Sequence, residues 1–246
     1  MSLLPENIHP SWNPLLTNSF IAELKRIENK LNSLTIHEES QHRSFPKTEN
    51  VMRFLEIDLN SVKYIILGMD PYPSWYEIDG TIFPVATGRS FEVGNLNSWQ
   101  QKFNQKSLQN ILKTIYFNKT DEKVRLAAIR ELMADNRFTI SPPHQWFDNL
   151  EAQGVLFLNA TLTVTPRSPD SHTQDWKFIM TQVIRYVNST QVCWLLFGKE
   201  AQKRVREAIL GEFSAHNCCH PRNAQFVDEN IFQYAADIDW CGVEII

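Results

Sequence analysis

The chain has 246 residues, of which 43% are hydrophobic, 11% aromatic and 21% charged, with a formal net charge of −4. This is the make-up of a soluble globule long enough to bury a substantial core, and it lacks the basic surplus of a protein that binds phosphate non-specifically. A small local site can still hold DNA through backbone N–H groups and hydroxyls. Glycine is scarce at 8 residues, and neither G-x-G-x-x-G nor G-x-x-x-x-G-K-[ST] occurs, which argues against dinucleotide and P-loop chemistry.

The cysteines are Cys193, Cys218, Cys219 and Cys241, with neither zinc-ribbon nor iron–sulfur spacing. They read as four reduced thiols in a cytosolic protein. No basic-then-apolar leader is evident, and no apolar run approaches the ~18–20 residues that span a bilayer. The expected setting is cytoplasmic, with the nucleoid if the source is bacterial, and without membrane association.

In chain order, residues 1–15 carry Pro5, Pro10 and Pro14 and read as an extended arm. From Thr17, the residues Phe20, Leu24, Ile27 and Leu31 step at helical spacing. Val62 to Leu67 is a short, β-branched apolar run ended by Gly68 and reads as a buried strand. Val155 to Leu158 and Val192 to Phe197 share that character, and Phe213 to Cys219 is a weaker fourth run. Helical patterns lie between them: Ser107 to Phe117, then Asp175 to Val187 with Phe178, Ile179, Val183 and Tyr186 on one face. Glu200 to Leu210 and Phe226 to Ala236 complete the set.

Buried strands alternating with helices predict an α/β fold, a three-layer α/β/α sandwich around a central four-stranded, mainly parallel sheet. With no repeat or linker, residues 1–246 read as a single domain. Ligands of such sheets sit beyond the carboxyl ends of the strands, so residues 68–74, 159–165, 198–202 and 220–224 are the segments to inspect.

Gly68-Met69-Asp70-Pro71-Tyr72-Pro73-Ser74 is stiffened by two prolines. Its Asp70 is either a turn cap or a carboxylate held for catalysis. Asn159 ends a buried strand, where an amide must be satisfied by loop backbone or offered to a polar ligand edge. His216-Asn217-Cys218-Cys219-His220 crowds potential metal ligands into five positions along a strand, whose alternate residues face opposite ways, and this argues against a metal site.

Taken together, these segments resemble the uracil-DNA glycosylases of the bacterial and nuclear type. That family has a strand ending in G-Q-D-P-Y-H, where this chain has GMDPYPS. Its G-V-L-L-L-N-x-x-L-T-V resembles residues 154–164, and its S-H-x-x-x-x-W resembles Ser171-His172 to Trp176. Its G-x-x-A-Q helix start resembles Gly198 to Gln202, and its final strand leads into His220-Pro221. S-L-x-N-I matches Ser107 to Ile111, and the terminal I-D-W is present at Ile238 to Trp240. The matches run in order from about residue 50 to the end.

The resemblance implies roles. Asp70 would stabilise the oxocarbenium-like sugar and orient water, the same charge development that carboxylate glycosidases exploit. His220 would donate to uracil O2, a type of contact worth ~2.7–4 kcal/mol of barrier. Asn159 would read N3–H and O4. Phe91 would stack on the flipped base, Tyr72 would exclude a C5 methyl group, and Met69 would stand among the substrate-binding residues. Contacts to DNA would come from Pro73, Ser74, Ser107, Lys199, Pro221, Arg222, Asn223 and Ala224. Lys199, with Lys203, Arg204 and Arg206, could equally form a solvated helix face. The partner would be uracil-containing DNA, single- or double-stranded, and the protein a monomer. Water would be the nucleophile, so neither metal nor organic cofactor is expected.

Four departures bear on this reading. Met69 replaces the family's glutamine and Pro73 its histidine. Ala224 stands where a leucine usually wedges into the duplex, and residues 75–87 do not follow the family's short Gly-rich turn. Poxvirus members share P-Y-P and a leucine-free loop. Arg222, in place of serine, would add phosphate affinity by charge. The alternative reading is a non-catalytic DNA-binding or replication-accessory module on the same fold.

Overall fold

The computed structural model describes residues 2–243. Its central sheet has four parallel strands in the order β4-β1-β5-β6: β1 (Tyr64–Gly68), β4 (Val155–Asn159), β5 (Cys193–Phe197) and β6 (Ser214–Cys218). The register pairs Gly68 with Asn159 and Phe197 with Cys218, so the strands end nearly level. Each apolar run becomes a strand as the sequence predicts. Val62 and Lys63 fall outside β1, Val192 outside β5, and Phe213 and Cys219 outside β6, while β1 and β4 each extend through their terminal polar residue or glycine.

Side chains alternate across the sheet, as the two-residue period of a strand requires. Ile65, Leu67, Leu156, Leu158, Trp194 and Leu196 face one layer, containing α1 (Asn18–Ser33), α5 (Thr173–Asn188) and α6 (Lys199–Ala208). Ile66, Val155, Phe157, Leu195 and Phe197 face the other, with α2 (Lys106–Thr120), α4 (Pro143–Ala152) and the C-terminal segment. The arrangement is the expected three-layer α/β/α sandwich. Because both faces are covered, truncating one of these strand residues to alanine would cost ~2–5 kcal/mol.

Helix α1 starts where Thr17 Oγ1 accepts from the Phe20 amide, and it buries Phe20, Leu24, Ile27 and Leu31. On α5 the buried stripe is Trp176, Ile179, Met180, Val183, Ile184 and Val187. Phe178 is 43% exposed, against the sequence expectation, because the stripe pairs Ile179 and Val183 with Met180 and Ile184 and starts at Trp176, which turns position 178 outward.

Two further expectations are corrected, and the stretch after the first loop takes a form the sequence reading left open. The expected arm is not extended throughout its described residues: Pro10–Leu15 form 3-10 turns, and Trp12 is fully buried with Nε1 donating to Ile57 O at 2.8 Å. Residues 226–236 do not form one helix. A short α7 (Phe226–Glu229) stops at Asn230, whose φ of 37° is left-handed, and a 3-10 turn follows over Ile231–Tyr234. Residues 75–87 hold an antiparallel hairpin, β2 (Trp75–Ile78) and β3 (Thr81–Pro84), turned at Asp79-Gly80, both with positive φ. Helix α3 (Leu126–Ala134) and α4, which the sequence reading left unassigned, complete the structure.

Candidate active site

At the carboxyl ends of β1, β4, β5 and β6 lies a cleft of about 480 Å³. It is lined by nine of the expected site residues: Met69, Asp70, Tyr72, Pro73, Phe91, Ser107, Asn159, His220 and Arg222. Residues at the exits of three different strands, β1, β4 and β6, thus converge, as the rule for open parallel sheets requires.

Backbone pairing runs past the strand ends and fixes the loop after β1. Ala160 N donates to Gly68 O at 2.9 Å and Thr161 N to Met69 O at 2.8 Å. Asp70 Oδ2 accepts the amide of Asp170 at 3.0 Å. Burial pushes the Asp70 carboxyl above the usual range; the Asp170 N–H opposes that shift and the Asp170 charge adds to it.

Asn159 is 3% exposed. Among the described residues no hydrogen bond is made by its side-chain amide, so its donor and acceptor are available to whatever fills the cleft. Its place is secured by Gly68: a Cβ there would meet Asn159 Oδ1 at 2.4 Å and Ser90 Cβ at 2.7 Å.

His220 follows β6. The Arg222 amide donates to His220 Nδ1 at 3.1 Å, which assigns the proton of the neutral ring to Nε2. Burial, and then the Arg222 charge, lower the His220 pKa. A neutral N–H donor is the result. Gly198, at φ +94°, lets the ring approach, since a Cβ there would lie 2.9 Å from His220 Cβ.

The turn after His220 is pinned to α2. Buried Asn110 donates from Nδ2 to Pro221 O at 2.6 Å and to Asn223 O at 3.3 Å. Sequence reasoning used the S-L-x-N-I stretch for Ser107 and passed over Asn110, although an Asn amid Leu108, Ile111 and Leu112 was a signal. Pro221 is buried within this turn, whereas Asn223 and Ala224 are exposed beside the cleft rather than in it. Ser74 is exposed at the start of the hairpin, also outside the cleft.

Lys199 lies outside as well. With Lys203 and Arg206 it borders a surface groove on α6, while Arg204 turns toward α5 and donates from Nη2 to Lys177 O at 3.4 Å. The basic group is therefore divided between two faces.

Tyr72 has its phenol pushed up by burial, and its hydroxyl lies 3.5 Å from Phe91 O. Phe91 projects into the cleft from a backbone at φ +65° and packs near Phe197, with ring centroids 5.7 Å apart. The Ser-His segment has a supporting place. Trp176 Nε1 donates to Thr163 Oγ1 at 2.7 Å, and the His172 ring bridges that hydroxyl, 2.8 Å from Nδ1, and Thr165 Oγ1, 3.1 Å from Nε2. Burial lowers the His172 pKa.

All four cysteines are free, and burial raises the thiol of Cys218 and pushes Cys241 up to about 12. Among the described residues no group of three or more His, Cys, Asp or Glu is placed to hold a metal ion, and no helix is long and apolar enough to cross a membrane.

No family model matches the chain. Among curated proteins, it is 30% identical over 253 residues to a uracil-DNA glycosylase of Agrobacterium fabrum, covering 95% of this chain and 90% of that one. It is 31% identical over 208 residues to the uracil-DNA glycosylase of Christiangramia forsetii, covering 81% and 76%. Among solved structures, the wild-type UNG of Nitratifractor salsuginis superposes with a TM-score of 0.70 at 19% identity, over 95% of this chain and 92% of that one. The two share one α/β fold. The chain belongs to the uracil-DNA glycosylases.

Proposed function

We propose that the protein is a monofunctional uracil-DNA glycosylase that hydrolyses the N-glycosidic bond of a flipped-out deoxyuridine, releasing uracil and leaving an abasic site. The carrying observation is the convergence of Asp70, Asn159 and His220 in one cleft from three separate strand exits.

The chemistry follows from charge. As the C1′–N1 bond breaks, its electron pair leaves with uracil and positive charge grows on the sugar. The ionised Asp70 carboxylate stabilises that sugar and orients the water that adds to C1′; the water's second proton is lost to solvent. His220 Nε2–H donates to uracil O2, where negative charge gathers, and a neutral imidazole suffices. Asn159 accepts from N3–H and donates to O4. Cytosine presents the opposite pattern, with an acceptor at N3 and a donor at C4, so the same amide orientation mismatches it. Phe91 stacks on the base, and the Tyr72 ring occupies the space a thymine methyl group would need. Extruding the nucleotide costs a few kcal/mol, and Ser107 and Arg222 at the cleft edge supply phosphate contacts.

A pure binding module has no use for a carboxylate, a neutral imidazole donor and an unsatisfied amide arranged around one base-sized space. The test is release of uracil from a uracil-containing oligonucleotide without added metal, for the parent and the Asp70→Asn/His220→Leu double variant. Product from the parent and none from the variant is expected. Tight DNA binding with no abasic product from the parent would favour the binding module, and full activity in the double variant would overturn the assigned roles.

A further inference from the structure

Phe91 sits at φ +65°, a conformation a bulky side chain rarely adopts and one that persists only where its surroundings over-determine it. Its neighbours in sequence supply those surroundings. Arg89 is 6% exposed and Glu92 3%. Arg89 Nε donates to Glu151 Oε1 at 2.8 Å, Nη2 to Asp148 Oδ1 at 2.6 Å and also to Glu151, and Nη1 to Glu92 Oε1 at 3.3 Å. Glu92 in turn takes His144 Nδ1 at 3.0 Å and the Thr87 hydroxyl, with Arg53 Nη1 at 4.0 Å.

The anchors share one platform. His144, Asp148 and Glu151 fall on successive turns of a single face of α4. Between the two charged residues, the Ser90 hydroxyl donates to Ile66 O of β1 at 3.3 Å. Residues 89, 90 and 92 are therefore all tied inward, and residue 91 faces the cleft. A buried ion-pair network is weak support for stability, since apolar residues of like volume often serve as well; its better-attested use is fixing one conformation. Here the conformation fixed is that of a cleft wall.

We propose that Arg89 and Glu92 are positioning residues whose ion pairs to α4 hold Phe91 in the left-handed conformation that presents its ring to the substrate base. The proposal rests on the reading of Phe91 as the stacking wall. Stacking acts alike on bound substrate and transition state, so loosening the wall weakens binding more than turnover.

The experiment measures KM and kcat on single-stranded uracil DNA, and inhibition by free uracil, for Glu92→Gln, Phe91→Ala and the pair combined. Glu92→Gln keeps the side-chain shape and removes the charge. It is expected to raise KM and the uracil inhibition constant about tenfold, with kcat within about twofold. In the Phe91→Ala background the same substitution is expected to add nothing, because its effect passes through Phe91. Glu151→Gln, more distant in sequence from the wall, carries the same test should Glu92→Gln not fold. If Phe91→Ala weakens uracil binding while both glutamine variants leave it intact, the positioning role is overturned and the stacking wall stands. Full additivity with Phe91→Ala also overturns it, as a generally structural role would give that result. If Phe91→Ala leaves KM and inhibition unchanged, the stacking reading itself falls and the proposal with it.

Discussion

The amide of Asp170 donates to Asp70 Oδ2 at 3.0 Å, and a second carboxyl is thereby placed beside the one proposed to face the sugar. Asp170 has a φ of +59°, a left-handed conformation that Asp tolerates better than most residues, and this turns its N–H toward Asp70. One residue thus acts on Asp70 in two opposed ways: its N–H favours the ionised form and its charge disfavours it.

Replacing Asp170 with Asn keeps the backbone donor and removes the charge. The Asp70 pKa then falls, because one of the causes that raise it is gone. Since Asp70 works ionised, the acid limb of the kcat/KM profile is expected to move to lower pH in Asp170→Asn, with the alkaline side unchanged. A pH–rate series on single-stranded substrate checks this. A limb that stays in place would remove the Asp170 charge from the account.

Asp70 should also lower the stability of the fold it serves. Its pKa is raised on folding, chiefly by burial, so the native state binds this proton more tightly than the unfolded chain does. The ionised group therefore disfavours the folded state above its folded pKa, and the penalty disappears below the unfolded value near ~3.9. Asp70→Asn is expected to raise Tm at neutral pH, to lose that advantage under acid conditions, and to cut kcat by roughly 10²–10⁴-fold. Thermal unfolding of parent and variant at several pH values tests the sign.

Much of this site was legible in the sequence, and the part that was not has a physical explanation. Asp70 and Asn159 stand at the ends of apolar runs that a buried parallel sheet accommodates, and His220 follows the weaker edge run of β6, so the strand-exit rule located all three. The Asp170–Asp70 contact joins residues 100 positions apart through a backbone amide, and no side-chain pattern announces a backbone donor. Trp12 was hidden by its prolines, which suggested extension where they instead shape 3-10 turns. The hairpin over Trp75–Pro84 did carry a signal: an Asp-Gly pair between two aromatic-rich runs is a type I′ turn pattern. The break at Asn230 was masked because Phe226, Ile231, Phe232 and Ala235, all buried, keep a spacing close enough to helical.

The turn at residues 221–225 bears on duplex DNA. Asn110 fixes its backbone, and Ala224 stands exposed on it without the bulk to hold an extruded base out of the stack. Activity on single-stranded uracil DNA is expected to exceed that on duplex, and Ala224→Leu to narrow the gap. Asn110→Ala leaves Pro221 O without its donor, while Asn223 O keeps the Phe226 amide at 3.2 Å, at a cost of ~1–3 kcal/mol. It should reduce activity on both substrates, because His220 belongs to the same turn. Equal rates on the two substrates in the parent would mean that another residue supplies the wedge.

Gly68 offers the narrowest test of how the base is read. Its Cβ position is only 2.4 Å from Asn159 Oδ1 and 2.7 Å from Ser90 Cβ, closer than real Cβ contacts come, so one methyl group must displace the amide, the Ser90 segment, or both. Its backbone is ordinary strand, which alanine adopts without strain. Any loss in Gly68→Ala therefore reports the contact and not the chain conformation. A displacement near 1 Å of a group that must meet two base atoms typically costs on the order of 10²-fold. Gly68→Ala is expected to lose about that factor in kcat/KM on uracil, while the far-ultraviolet circular dichroism stays that of the parent. The loss should be smaller when Asn159 is already alanine, since no amide then remains to be misplaced. Steady-state kinetics on the two single variants and the double variant decide it: equal losses in both backgrounds would show that Gly68 acts through Ser90 and the neighbouring Phe91 wall instead.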